Sequence, residues 1–178
     1  MDYGNTWEPI RKTYQGVEGV IVEMVPTTTL KERTIGCMLF ITVEDVNGNI
    51  VNFIVSKDTY ILDFETLKEG MQCTFYYLSD RPVPLIYPPQ YNAAVIVPER
   101  MGEFVFVGYF GKSLISDDLS LQIRVDSSTA MLTSNNQIFM GSPALHNLVV
   151  VYETSTRSLP AQTVPKKVVV LCDQGERS

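Results

Sequence analysis

The sequence predicts an all-β protein, and three observations predict it. Apolar residues recur at every second position in short runs, Cys37–Asp45, Ile50–Ser56, Met71–Leu78 and Leu119–Val125 among them, the spacing that sets one face of a strand on a core. Turn residues separate these runs. No stretch has the length of the crossover helices that a parallel sheet would require. A chain of 178 residues fits one medium domain or two small ones.

The elements follow in order. Residues 1–13 form a polar leader that Trp7 is expected to order in part. Gly16–Val25 alternates, is rich in β-branched residues and reads as a strand with a glycine bend. Residues 26–33 read as a loop, and Cys37–Asp45 as a second strand. Asn47-Gly48 lies between two alternating runs, and both residues suit the positive φ of a type I′ hairpin turn, so Ile50–Ser56 pairs back on its predecessor. Thr59–Gly70 is the one stretch of the first half that reads as helical, with Asp63 as a cap and Gly70 as its end. Met71–Leu78 is a fourth strand, and a proline-dense loop from Arg81 to Gln90 leads to a fifth, Ala93–Val97. Pro98–Gly102 is the joint between two units. Glu103–Gly111 repeats the glycine-bent opening strand, and Leu119–Val125 alternates cleanly. Val125–Thr129 resembles Val55–Thr59, Gln137–Met140 is apolar without a clear period, and Leu148–Tyr152 and Lys167–Leu171 supply the last two strands. One strand between the opening strand and Leu119 is lost, shortened or formed by bending the opening strand.

The second half therefore repeats the first. Tyr76–Gln90 laid over Tyr152–Lys166 at one constant offset matches Tyr76 with Tyr152, Ser79 with Ser155, Arg81 with Arg157, Pro84 with Pro160 and Pro89 with Pro165. The same alignment sets Tyr87 against Thr163 and Tyr91 against Lys167. Strand, hairpin, short linker, strand, loop and strand is the order of the OB-fold, a small five-stranded Greek-key barrel. The expected architecture is a tandem pair of OB-like barrels, 14–98 and 103–173, the second degenerate. The runner-up is a single β-sandwich built from both halves.

The segment from Asn52-Phe-Ile-Val-Ser56 to Leu85-Ile-Tyr-Pro-Pro-Gln-Tyr91 resembles a pattern found in uncharacterised bacterial proteins with OB-like barrels, in which such a strand precedes such a loop. The resemblance covers about half the chain. It implies the barrel fold, and the family carries no assigned chemistry.

Composition excludes several classes of function. No apolar run approaches the roughly 20 residues of a membrane helix, and the first residues lack the basic start and apolar block of a signal peptide. Cys37, Cys73 and Cys172 are odd in number and without CxxC spacing, so a reducing cytoplasm without disulfides is expected, each thiol a small buried hydrophobe. Net charge is −6, which weighs against nucleic acid, whose binders neutralise phosphates with a basic face.

Chemistry-bearing patterns are sparse. The one histidine, His146, lies in no nucleophile motif, and too few histidines and clustered cysteines exist for a tetrahedral metal site. Asp45–Asn49 lacks the glycine and distal glutamate of a calcium loop, and Gly108–Ser113 lacks the first glycine of a phosphate loop. Asp117-Asp118 and Asp63/Glu65 lie in polar turns where solvated carboxylates are expected. No catalytic residue, metal or cofactor is expected. The unusual stretch is Arg81–Tyr91, whose four prolines favour an extended, stiff path. In OB-folds this loop flanks the ligand groove, so Tyr77, Arg81, Tyr87, Gln90 and Tyr91 are the candidate ligand-binding residues, aromatics stacking on bases or sugars. The competing use is structural: Leu85, Ile86 and the tyrosines fold back to plug the barrel or pack on a protein. Recurrence of the prolines at Pro160 and Pro165 without the aromatics favours packing. The expected function is a non-enzymatic binding or assembly protein that engages itself or another protein. Single-stranded nucleic acid or an oligosaccharide is the alternative ligand.

Overall fold

The computed structural model describes residues 10–27 and 35–172. These divide into two compact units, Thr13–Met101, and Gly102 onward together with Ile10–Lys12. The protein is all-β, with no α-helix among the described residues. None of its helical turns is long and apolar enough to cross a membrane. Trp7 and most of the 26–33 loop lie outside the described residues.

The first unit is built on β1 (Tyr14–Pro26), which serves two neighbours. Its first half pairs antiparallel with β5 (Gln72–Leu78), from Tyr14↔Leu78 to Val20↔Gln72. Its second half pairs antiparallel with β2 (Leu39–Asp45), from Gly19↔Asp45 to Pro26↔Leu39. Gly19 makes this possible. A Cβ there would stand 2.4 Å from the Glu44 carbonyl oxygen and 2.6 Å from Val43 Cγ1, so only glycine lets the strands approach this closely. A register shift between Ile21 and Glu23 adds a bulge just beyond it, which increases the local twist. The predicted hairpin forms at Asn47-Gly48, but not through a type I′ turn: Gly48 has φ 81 while Asn47 stays at negative φ, the Gly48 amide donates to Asp45 O at 3.0 Å, Asp45 Oδ1 accepts from the amides of Asn47 and Asn49 at 2.9 Å, and β3 (Ile50–Val55) returns along β2.

After β3 come β4 (Tyr60–Ile61), a 3₁₀ turn Leu62–Phe64, β6 (Gln90–Asn92) and β7 (Val95–Pro98). β6 lies parallel to β3, β7 antiparallel to β5, and β4 parallel to β7. Only Ala93 and Ala94 separate β6 from β7, and their amides donate to Ile54 O at 3.0 Å and Tyr76 O at 2.8 Å. Taken as one interrupted strand, β6–β7 thus joins β3 to β5. Pairing then runs β1–β2–β3–β6/β7–β5 and returns to β1. Ile21, Ile41, Val43, Phe53, Phe75 and Ile96 fill the interior.

The second unit has β8 (Phe104–Phe110), β9 (Leu121–Ile123), β10 (Ala130–Thr133), β11 (His146–Tyr152), β12 (Ala161–Thr163) and β13 (Lys167–Leu171). β8 pairs with β11 and β11 with β13, both antiparallel, while β10–β13 and β12–β9 are parallel. The expected shortened strand is reduced to Ile115 and Ser116, which bridge Gln122 and Phe110. Phe110, Leu121, Ile123, Leu148, Val150, Val168 and Val170 form the core. Matching latches follow β3 and β9: Thr59 Oγ1 donates to Ala93 O, and Thr129 Oγ1 to Pro165 O, each at 2.7 Å.

Two sequence expectations need correction. The constant offset fails, because Tyr76 faces Val95 on β7 whereas its counterpart against Lys167 is Val151, not Tyr152. Tyr152 corresponds to Tyr77, and Thr163, the partner of Ile123, corresponds to Tyr91, the partner of Phe53. A slip of one residue turns a strand's side chains to the opposite face, so like letters had been aligned across faces. The second correction is the helix over Thr59–Gly70. β4 and the 3₁₀ turn replace it, and Asp63 caps nothing: it sits at φ 57 with its carboxylate 2.6 Å from Arg100. β10 and β12 were not anticipated, being too short to show a period.

Candidate functional site

The five residues singled out from the sequence divide into two groups. Tyr91, on β6, is the register partner of Phe53, and Tyr77 lies two residues beyond Phe75 on β5, so all four rings project to the core face of the sheet. Phe53 stacks on Phe75 at 4.8 Å between centroids. Tyr91 and Tyr77 stack on each other at 3.8 Å with planes 9° apart and lie 6.0 and 6.5 Å from Phe53. The four form one column that continues the core of the first unit. Burial, together with the Tyr91 phenol beside it, pushes the Tyr77 phenol up to about 12, because a phenolate there would lose solvation. Gln90 joins the sheet through the β3–β6 ladder opposite Asn52.

Arg81 and Tyr87 are elsewhere. Both are exposed on the loop between β5 and β6, where Tyr87 is 90% exposed and Leu85 fully so, with Val83 and Ile86 also exposed. The structure therefore brings Tyr77 and Tyr91 together, sets Gln90 beside Tyr91 on β6 but on the opposite face of the strand, and leaves Arg81 and Tyr87 out on the loop. The peptide bond Tyr87–Pro88 is cis, as is Leu159–Pro160 at the corresponding step of the second unit. Leu159, in the place of Tyr87, is 87% exposed. The second unit closes its end differently: Tyr152 stacks on Phe104 at 5.6 Å, and Thr163, in the place of Tyr91, donates to Thr154 O at 2.6 Å.

Sequence reading did not single out Phe53, the centre of the column. The signal was present in the alternation of Val51, Phe53 and Val55, all buried. The other candidates remain local. His146 Nδ1 lies 2.8 Å from Ala144 O and its ring meets Phe139 edge-on. Asp118 accepts from Ser116 and Ser120 hydroxyls at 2.6 and 2.7 Å; partial burial opposes this, but the bonds hold its carboxyl below the usual range. Cys73 is buried, and burial with the nearby Glu65 pushes its thiol to about 11. Cys37 and Cys172 are exposed, contrary to the expectation that each thiol is buried. Among the described residues no three of His, Cys, Asp and Glu converge as metal ligands do.

Compared with family models, curated proteins and solved structures, the chain matches none.

Proposed function

We propose that the chain is a non-enzymatic binding or assembly protein built on two OB-like barrels, with the loop Arg81–Tyr91 as its contact surface for protein. The pairing circuit β1–β2–β3–β6/β7–β5 supports the barrel reading, since this is the neighbour order of a five-stranded OB barrel with its last strand interrupted. A solenoid is the competing all-β description. It would stack successive strands in parallel rungs, whereas β1, β2 and β3 meander antiparallel and β5 returns beside β1.

One observation carries the functional reading: Val83, Leu85, Ile86 and Tyr87 stand exposed in succession on a loop that four prolines hold extended. Contiguous exposed apolar surface marks interaction sites, and a loop stiffened in advance loses little entropy on docking. The tyrosines best placed to grip a base, Tyr77 and Tyr91, are stacked on each other against the core, and Arg81 sits beside Asp80 in a chain of net charge −6. A protein surface fits this better than a phosphate backbone. The nucleic-acid or glycan alternative keeps Tyr87 as its one exposed ring.

The test compares wild type with Leu85→Ser/Tyr87→Ser by sedimentation over a concentration series, beside titration of a labelled single-stranded oligonucleotide at low and high salt. Self-association that the double substitution weakens supports the proposal. A wild-type chain that stays monomeric at every concentration and captures the oligonucleotide in a salt-sensitive manner overturns it.

A further inference from the structure

The second unit holds a built seat for an extended peptide, occupied by the chain's own residues Ile10–Lys12. Asn147, on β11, is 1% exposed. A buried amide must find partners for both its ends, and Asn147 finds them on a backbone more than a hundred residues distant. Its Nδ2 donates to Ile10 O at 2.9 Å, and its Oδ1 accepts from the Lys12 amide at 3.3 Å. One amide thus grips the carbonyl before Arg11 and the N–H after it, which fixes register to a single residue. Tyr109 on β8 is the register partner of Asn147, so both side chains stand on the same face. The Arg11 guanidinium lies over the Tyr109 ring, 5.0 Å from its centroid, and 3.5 Å from Asp117 Oδ1. Asp117 is tied to the same strand, its amide donating to Tyr109 O at 2.9 Å.

We infer that Asn147, Tyr109 and Asp117 form a recognition site for an extended peptide segment with a central arginine, filled in cis by Ile10–Lys12 and able to take the same segment from a second copy of the chain. Each group has a distinct part. Asn147 reads backbone irrespective of sequence, Tyr109 selects a planar cation, and Asp117 pairs with its charge. The ion pair is largely exposed, with side chains 63% and 43% accessible, so it adds little to holding the segment down. Exchange with a second copy re-forms every contact that is broken, which makes segment swapping inexpensive.

The experiment uses a fluorescent nine-residue peptide of the sequence TWEPIRKTY, residues 6–14, and the full-length chain. Arg11→Glu sets a carboxylate against Asp117 and loosens the segment in cis. The peptide is expected to bind this variant at least 10-fold more tightly than wild type, measured by anisotropy, and a peptide with glutamate in place of the arginine is expected not to bind. Adding Asn147→Leu to Arg11→Glu abolishes binding, while Asp117→Asn added to Arg11→Glu weakens it several-fold and does so less at high salt. Thermal melts check that each variant is folded, and Asp117→Asn, at an exposed position, keeps the test available if Asn147→Leu does not fold. Equal binding by wild type and Arg11→Glu, or indifference to the peptide's arginine, overturns the inference.

Discussion

Truncating the Tyr77–Tyr91 stack is the sharpest test of whether this end of the first unit is core or platform. The rings are 3.8 Å apart and nearly parallel, an arrangement worth about 0.5–1.5 kcal/mol beyond simple burial. The contact between the two phenols that helps raise Tyr77 is worth less than the stack, so the expected coupling is about 0.5–1.5 kcal/mol. The measurement is a double-mutant cycle of wild type, Tyr77→Leu, Tyr91→Leu and the double variant, unfolded in urea and followed by circular dichroism. Leucine keeps bulk in the core and limits cavity effects. Tyr77→Phe, which retains the stack and removes the hydroxyl, isolates the smaller share. Tyr87→Ala is the control: its side chain is 90% exposed and the change is expected to cost less than about 0.5 kcal/mol. A coupling below about 0.3 kcal/mol, the level at which separate sites simply add, would refute the reasoning. The tyrosines would then be tolerated at this end of the unit rather than holding it.

Three further expectations follow from burial and close packing. Burial pushes the Tyr60 and Tyr77 phenols up to about 12, whereas an unfolded tyrosine ionises near pH 10. The unfolded chain therefore sheds these protons first, and stability that is complete below pH 10 falls as pH rises toward 12; urea midpoints measured across that window should decline, less steeply in Tyr77→Phe. Cys37 and Cys172 are exposed while Cys73 is buried with its thiol near 11, so Ellman's reagent should titrate two thiols rapidly in the native protein and the third only on unfolding. Three equal rates would contradict the packing of β5. Gly19→Ala drives a methyl into the Glu44 carbonyl and the Val43 side chain and should destabilise by about 1–3 kcal/mol, the cost of overpacking; an unchanged denaturation midpoint would show that β1 does not depend on this close approach.

Much of the architecture was legible because β-structure writes itself locally. The alternation of Val51, Phe53 and Val55, the Asn47-Gly48 turn and the glycines at 19 and 108 mark strands, hairpin and bends without reference to distant residues. What could not be read is what depends on register between remote segments. The resemblance of Tyr76 to Tyr152 was a resemblance of letters, and only pairing with β7 and β13 reveals that Tyr77 is the true counterpart. The stretch Tyr60–Phe64 looked helical by composition, yet pairing with Val95 and Ile96 claims its first residues as strand, a tertiary override of a weak local preference. The candidate site shows the same division. The loop 81–91 announced itself by its prolines, but which tyrosines turn inward depends on the facing Phe53. Asn147, Tyr109 and Arg11 gave no signal at all, since nothing in an isolated Pro-Ala-Leu-His-Asn-Leu stretch tells that its amide will close on residues 10 and 12.

The hold of Asn147 on Ile10 also imposes an order on biosynthesis. The two partners are 137 positions apart, so at roughly 5–20 residues per second the segment leaves the ribosome about 7–27 seconds before its seat is made. The unit of residues 13–101 draws its own ladders from within that span and is free to fold in that interval. The second unit, by contrast, must gather a stretch translated before the first unit and a stretch translated after it.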